Sequence, residues 1–153
     1  MPLASNLLQI LHDNWSQENT GIAVTEIEWA SHRVDEIAWL KASSVKAYLI
    51  AVYDTGGTTV ASLSLPPLTW RIEKSLTIDV NIRVPSQASM PELLEKREKI
   101  REEIYRIILA KGRAVQGASL VRIVREPTVS ESENLLRLQI LASAILLKTE
   151  PES

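Results

Sequence analysis

The strongest pattern in the chain is an alternation of apolar and polar side chains over positions 70 to 84. Even positions are apolar and odd positions are polar, with Lys74 as the exception. Because successive side chains of a strand point to opposite faces, this pattern predicts a long antiparallel strand with one face in a core. Fifteen residues would span roughly 50 Å, so we expect part of this strand to extend beyond the globule.

A second alternating segment lies near the other end of the sequence. Even positions from 136 to 146 are apolar, while the odd positions change from Arg137 and Gln139 to apolar residues. We therefore expect the later half of this strand to be buried on both faces. Residues 120–125 predict a further strand before a polar break at residues 130–134. The two long strands are expected to pair antiparallel in one sheet.

Two segments have helical periodicity. Residues 2–15 predict an amphipathic N-terminal helix, which packs on its own sheet or docks on a partner. Residues 89–111 predict the main helix, with a capping box formed by Ser89 and Glu92. Gly112 stands where a left-handed C-cap is expected. The apolar stripe expected to lie on the sheet consists of Leu93, Ile100, Ile104, Ile107 and Ile108.

The middle of the chain predicts a hairpin. Its arms are residues 46–53 and 58–65, joined by a turn at residues 54–57 whose two glycines adopt positive φ readily. Two prolines, Pro66 and Pro67, would end the second arm because they cannot donate to a ladder. Residues 31–44 fit a short helix, a loop or a strand.

The order of elements, helix, strands, helix and strands, predicts an α+β fold. We expect an antiparallel or mixed sheet with long strands packed against one main helix, plus an N-terminal helix. A chain of 153 residues fits a single domain, 1–153. Its expected parts are the N-terminal helix at about 2–15, a β-meander at about 22–84, the main helix at about 90–111 and C-terminal strands at about 119–148.

Composition excludes several functional classes. With 17 basic and 19 acidic residues the net charge is -2, which argues against binding nucleic acid by neutralising phosphates. The absence of cysteine excludes disulfides, zinc-thiolate sites and a thiol nucleophile. Because no apolar run is long enough to cross a bilayer and no secretory signal opens the chain, we expect a soluble intracellular protein.

The candidate chemical groups are few. His12 and His32 lie near carboxylates, but no set of ligands converges on either, so a surface position is expected rather than a metal site. Asp79 could form an acid-base pair with Asp54 or Glu73, or face solvent or a neighbouring subunit; the second interpretation fits better, since no other group suggests a raised pKa. No serine lies in a Gly-x-Ser-x-Gly elbow. We expect no catalytic site, metal or cofactor.

The order of elements also resembles a known family. The chain contains an N-terminal amphipathic helix, a β-meander, the strand SLTIDVNIRV, the helix PELLEKREKIREEIYRIILAKG and the closing strand LLRLQILASAILL. This pattern is similar to the tail terminator, or tail completion, proteins of long-tailed phages and archaeal viruses. The resemblance implies a ring, typically hexameric, that caps the tail tube and joins it to the head connector while DNA passes through without specific binding.

The same resemblance implies a protein without catalysis or a cofactor. Its partners would be further copies of itself, the tail tube and the head connector, in the neck of a virion assembled in the host cytoplasm. Candidates for the lumen or a subunit interface are Glu73, Asp79, Asn81 and Arg83.

Two other classes stay open. A small oligomeric α+β ligand-binding or regulatory domain of a cellular protein would show a buried pocket and a twofold assembly. An enzyme would show a strongly perturbed Asp79 in a cleft. The length of the two alternating strands favours self-association, because an uncovered apolar face or strand edge is normally paired with another chain.

Overall fold

The computed structural model describes residues 2–42, 46–64, 69–85, 89–132 and 134–149. They form an α+β fold with one mixed sheet and four helices. The strands are β1 (Ile27–Ala30), β2 (Tyr48–Ser64), β3 (Thr69–Arg83), β4 (Leu120–Glu131) and β5 (Leu135–Thr149). The helices are α1 (Leu3–Asp13), α2 (Gln17–Thr20), α3 (Glu36–Lys41) and α4 (Met90–Lys111), with a 3-10 turn at Val24–Glu26.

The sheet has the strand order β1-β2-β3-β5-β4. The two long strands pair antiparallel as expected, with Ile78 of β3 opposite Ile140 of β5. β2 pairs antiparallel with β3, and β4 pairs antiparallel with β5, whereas β1 runs parallel to β2. Since α3 connects two parallel strands, the predicted meander is wrong at its first strand.

The main core lies on one face of the sheet, between the strands and the helices α1 and α4. Even-numbered side chains of β3, such as Ile78 and Val80, are fully buried there. Each fully buried Leu or Ile contributes roughly 1.5–3 kcal/mol relative to an exposed one. The opposite face is covered at one end by α3, where a smaller cluster contains Ala30, Trp39, Leu49 and Ala51.

The predicted hairpin turn at residues 54–57 is wrong, because β2 continues through it. The register against β3 shifts there, from Asp54 opposite Leu76 to Thr58 opposite Lys74. Gly56 takes a φ of 84°, and its N–H donates to Asp54 Oδ1 at 2.7 Å. The positive φ therefore serves a bulge inside one long strand. Pro66 and Pro67 lie outside the described residues.

The main helix is where the sequence places it, but its ends differ from the prediction. The Ser89 side chain makes no capping hydrogen bond, so the predicted capping box is wrong. Gly112 has a φ of -60°, which is right-handed rather than left-handed. The Gly112 carbonyl accepts a hydrogen bond from the Val121 N–H at 2.8 Å. A Cβ at this position would clash with the Val121 carbonyl oxygen, so glycine is required for close approach.

Other boundaries differ by a few residues. The first helix ends at Asp13, and a separate short helix, α2, follows it before Gly21 in a left-handed conformation. The sequence of residues 31–44 fitted a short helix, a loop or a strand, and the structure shows a helix there, α3. The strand predicted from residue 22 begins only at Ile27, and β4 continues to Glu131, into the predicted polar break.

The predicted unpaired edge is wrong for β3, and for β5 it is present only in the last residues of the strand. β3 is paired along its whole length between β2 and β5, and β5 lies between β3 and β4. Among the described strands, the open edges of the sheet belong to β1, to β4, to β2 beyond Ala51 and to β5 beyond Ile145. Any strand pairing with another chain would take place at these edges.

Candidate functional site

The four predicted site residues lie on the face of β3 that is opposite α1 and α4. The helix α3 crosses this face and buries Asp79 and Asn81, leaving Asp79 only 2% exposed. The expectation that Asp79 faces solvent or a neighbouring subunit is therefore wrong. The reason is the parallel connection from β1 to β2, which carries α3 across the sheet.

Asp79 forms a two-point ion pair with Arg137 of β5. Asp79 Oδ1 lies 3.2 Å from Arg137 Nε, and Oδ2 lies 3.0 Å from Nη2. The Tyr53 hydroxyl donates to Oδ2 at 3.4 Å. Burial and the nearby Asp79 charge raise the pKa of Tyr53, and the hydrogen bond to Asp79 raises the pKa of Arg137. Both carboxylate oxygens are engaged, which is the arrangement of a structural ion pair.

Arg83 attaches the end of α3 to the sheet. Its Nη2 donates to the Leu40 carbonyl at 3.0 Å and to the Trp39 carbonyl at 3.4 Å, and its guanidinium lies 5.6 Å from the Trp39 ring centroid. At the other end of α3, Asp35 Oδ1 accepts from the Ile37 N–H at 3.0 Å. These contacts satisfy backbone groups that a helix end leaves unpaired. Arg83 therefore serves the fold of this chain.

Glu73 lies further along β3, beyond α3. It accepts hydrogen bonds from Ser143 of β5 and from Arg122 of β4, the latter at 3.3 Å, and it lies 3.5 Å from Arg71. The hydrogen bond from Ser143, helped by the arginines, lowers the pKa of Glu73. Glu73 joins three strands on a face that α3 does not cover. Glu73 and Arg83 are half-buried, so both stay candidates for an interface or a lumen, whereas Asp79 and Asn81 are buried.

The sheet beyond α3 forms what we call the distal ribbon, residues 58–61, 69–75 and 144–148. Ile72 lies in register between Val60 and Leu146, and Val60 is 58% exposed. Leu147 is exposed on the opposite face. Trp70 Nε1 and Arg71 Nε are buried without a hydrogen-bond partner among the described residues. The ribbon thus exposes apolar side chains on both faces.

A second surface, the α4–β4 groove, was not anticipated from the sequence. It is an open groove of about 790 Å³ between the second half of α4 and the strand β4. Ile108 and Leu120 line it, and Leu109 on its rim is 91% exposed. Arg106, Arg122 and Arg125 also line the groove. The available signal was Leu109 itself, an apolar residue outside the buried stripe of α4.

No protein-family model and no curated protein matches this chain.

The candidate metal-binding and acid-base groups of the sequence can be compared with their positions in the structure. Within residues 2–42, 46–64, 69–85, 89–132 and 134–149, no three His, Asp or Glu side chains converge in a way that could hold a metal ion. His12 and His32 are exposed, and His12 Nδ1 lies 3.0 Å from Asp13 Oδ1. Neither Asp54 nor Glu73 contacts Asp79 through a hydrogen bond. No described helix is long and apolar enough to cross a membrane.

Proposed function

We propose that this chain is a structural virion protein, the subunit of a tail terminator ring that caps the tail tube and joins it to the head connector. The observation that carries the proposal is the pair of open edges, β1 and β4, on opposite sides of one sheet. A subunit with two different contact surfaces associates head to tail, and such contacts close into a ring when the rotation between subunits allows it.

The distal ribbon supports a contact with a further protein. Its exposed Val60, Leu146 and Leu147 are apolar side chains of a kind that a soluble protein normally covers by association when they lie together. In the proposed assembly this ribbon binds the tail tube or the head connector. The remaining partners are other copies of the same chain.

The charges agree with a channel through which DNA slides. The net charge is -2, and on the open face of the sheet Glu73 lies beside Arg71 and Arg122, so positive and negative charges offset one another. A wall of this kind does not bind phosphates tightly. In this proposal Glu73 lies near the lumen or a subunit interface, whereas Asp79 and Asn81 are buried inside the subunit. The protein is located in the virion neck after assembly in the host cytoplasm.

Native mass spectrometry at several concentrations, with negative-stain electron microscopy, tests this proposal. Six copies in a ring, or tubes built from rings, would support it. A strict monomer at every concentration would count heavily against it. The genomic neighbourhood gives an independent test, since genes for virion structural proteins are expected on both sides.

A small oligomeric ligand-binding or regulatory domain is the second candidate. The volume of the α4–β4 groove lies within the usual range for ligand pockets, roughly 300–1,000 Å³, and its lining includes Ile108, Leu109 and Leu120. This function predicts a twofold dimer and saturable binding of a small apolar probe that Leu120→Arg abolishes. A ring that binds no probe would favour the tail terminator over the ligand-binding or regulatory domain.

A further inference from the structure

We infer that the α4–β4 groove of one subunit docks the β1 edge of a second copy, where the β1 edge denotes residues 26–36. The inference rests on the proposed ring and specifies the contact between its subunits. Three observations carry it: opposite charge on the two surfaces, their positions on the sheet, and exposed apolar side chains in the groove and next to the β1 edge.

The side of the molecule that contains the groove is basic. Residues 111–125 include four cations and no carboxylate, and all four are exposed. The groove lining contains Arg122 and Arg125 of this set, together with Arg106 and the exposed carboxylate Glu102. Arg122 already contacts Glu73 at 3.3 Å, while Arg113 and Arg125 form no ion pair with any residue that the structure describes. The four cations are Lys111, Arg113, Arg122 and Arg125.

The β1 edge is acidic. Residues 26–36 include four carboxylates and one arginine, Arg33. Glu26, Glu28 and Asp35 are exposed. The fourth carboxylate, Glu36, lies 3.7 Å from Arg137. The two surfaces are therefore complementary in charge, a property that selects partners and fixes their orientation.

The sheet places the two surfaces where they can meet between copies. β1 and β4 are the outermost strands, separated by four strand spacings, roughly 19 Å. β1 is parallel to β2, and each later neighbour is antiparallel to the one before it, so β4 runs antiparallel to β1. A β1 edge placed beside β4 of the next subunit would therefore continue the sheet in an antiparallel sense.

Exposed apolar side chains and a comparison with a twofold contact also support this head-to-tail contact. Leu109 and Val124 are exposed in the groove, and Ile37 is exposed beside the β1 edge. A twofold contact of groove against groove would bring Arg122 and Arg125 of one copy close to the same two arginines of the other, which is unfavourable. Opposite edges of successive copies avoid this repulsion and give a head-to-tail contact.

Two sets of substitutions test the contact, one for each surface. The groove variant is Arg113→Glu with Arg125→Glu. Arg125 lines the groove, Arg113 lies in the loop that joins α4 to β4, and neither arginine has an ion-pair partner among the described residues. The edge variant is Glu26→Gln, Glu28→Gln and Asp35→Asn. These changes remove charge but keep an acceptor for the Trp39 indole, now 2.6 Å from Glu28 Oε2, and a cap for α3.

We expect each variant alone to self-associate more weakly than wild type, with Kd at least about 10-fold higher. An equimolar mixture should give a one-to-one dimer by native mass spectrometry, because the intact β1 edge of the groove variant docks on the intact groove of the edge variant. The control is Lys74→Glu with Lys148→Glu, which reverses the charge of two exposed residues on the distal ribbon. It should leave self-association unchanged.

The outcomes separate the contact from the ring. If wild type forms rings and both variants do so equally well, the inferred contact is wrong and the proposed function stands. If either variant forms a twofold dimer alone, the contact is also wrong. If wild type and the mixture are monomeric at every concentration, both proposals fail. Circular dichroism verifies that each variant folds. If the groove variant does not fold, Arg113→Gln with Arg125→Gln takes its place.

Discussion

At the scale of single residues, the most informative side chain is Asp79. The alternation of β3 correctly places Asp79 on the face opposite the main core. The alternation holds no information about α3, which comes from another part of the chain and covers that face. Arg137, 58 residues later, supplies the countercharge. A polar position in an alternating strand can therefore be buried when a distant residue neutralises it.

We predict that Arg137→Leu lowers the free energy of unfolding by about 3 kcal/mol, because it leaves the buried Asp79 charge without its partner. Urea unfolding followed by tryptophan fluorescence measures this. The double variant Asp79→Leu with Arg137→Leu should be more stable than Arg137→Leu alone. As a control, Arg122→Leu removes an exposed ion pair with Glu73 and should cost less than about 1 kcal/mol. Equal losses for Arg137→Leu and Arg122→Leu would contradict the structural role of Asp79.

Glu103 is a second buried carboxylate, on α4. Burial by itself raises the pKa of Glu103, but hydrogen bonds from Arg106, the Ser16 N–H and Asn19 together outweigh burial, and the pKa lies below its ordinary value of 4.5. A group whose pKa is lowered by folding stabilises the protein above its unfolded pKa. That stability is lost as the pH falls through the folded pKa.

The resulting prediction concerns Glu103→Gln. At neutral pH this variant should be less stable than wild type by about 2 kcal/mol, because hydrogen bonds to a charged group are lost. The difference should begin to shrink as the pH falls below 4.5, the ordinary pKa, and should be lost as the pH falls through the lower pKa of the folded protein. Urea midpoints at neutral and acidic pH give the comparison. A difference that is the same at both pH values would show that the charge of Glu103 is not responsible.

At the scale of elements, periodicity predicted the long strands and the main helix because their patterns extend over many residues. The bulge at residues 54–57 was predicted as a hairpin turn, since an Asp-Thr-Gly-Gly segment suits both structures locally. The choice depends on β3, where Leu76 and Lys74 pair with β2 on either side of the bulge. Such pairing is not local, so a single segment cannot reveal it.

The end of α4 also depends on a contact with a distant part of the chain, which the local sequence does not reveal. Its glycine gives a stability prediction. Alanine is normally the better helix former, yet Gly112→Ala should destabilise the protein by about 1–3 kcal/mol because its Cβ would meet the Val121 carbonyl oxygen. Thermal unfolding measures this loss. Lys111→Ala, one residue earlier and exposed, is the control and should change stability by less than about 0.5 kcal/mol. A neutral or stabilising Gly112→Ala would show that the contact relaxes easily.

At the scale of the whole molecule, the candidate surfaces were the least predictable feature. The excess length of the two long strands predicted open edges on both of them, but β3 has none, β5 has one only beyond Ile145, and the other open edges belong to β1, β2 and β4. Which strand becomes an edge depends on the strand order, and that order is set by packing over the whole chain. The basic residues near the groove and the acidic residues near β1 are visible in the sequence. Their placement on opposite sides of one sheet is visible only in the fold.

The charge difference between the two sides predicts how self-association responds to salt. Interactions between exposed charges are screened over about 10 Å at 0.1 M salt and about 3 Å at 1 M, so sodium chloride should shift wild-type oligomers toward monomers. Light scattering after size-exclusion chromatography at both concentrations measures this shift. The edge variant lacks the charges of Glu26, Glu28 and Asp35, so its weaker association should depend less on salt. Association of wild type that strengthens with salt would instead indicate a contact made mainly by the apolar distal ribbon.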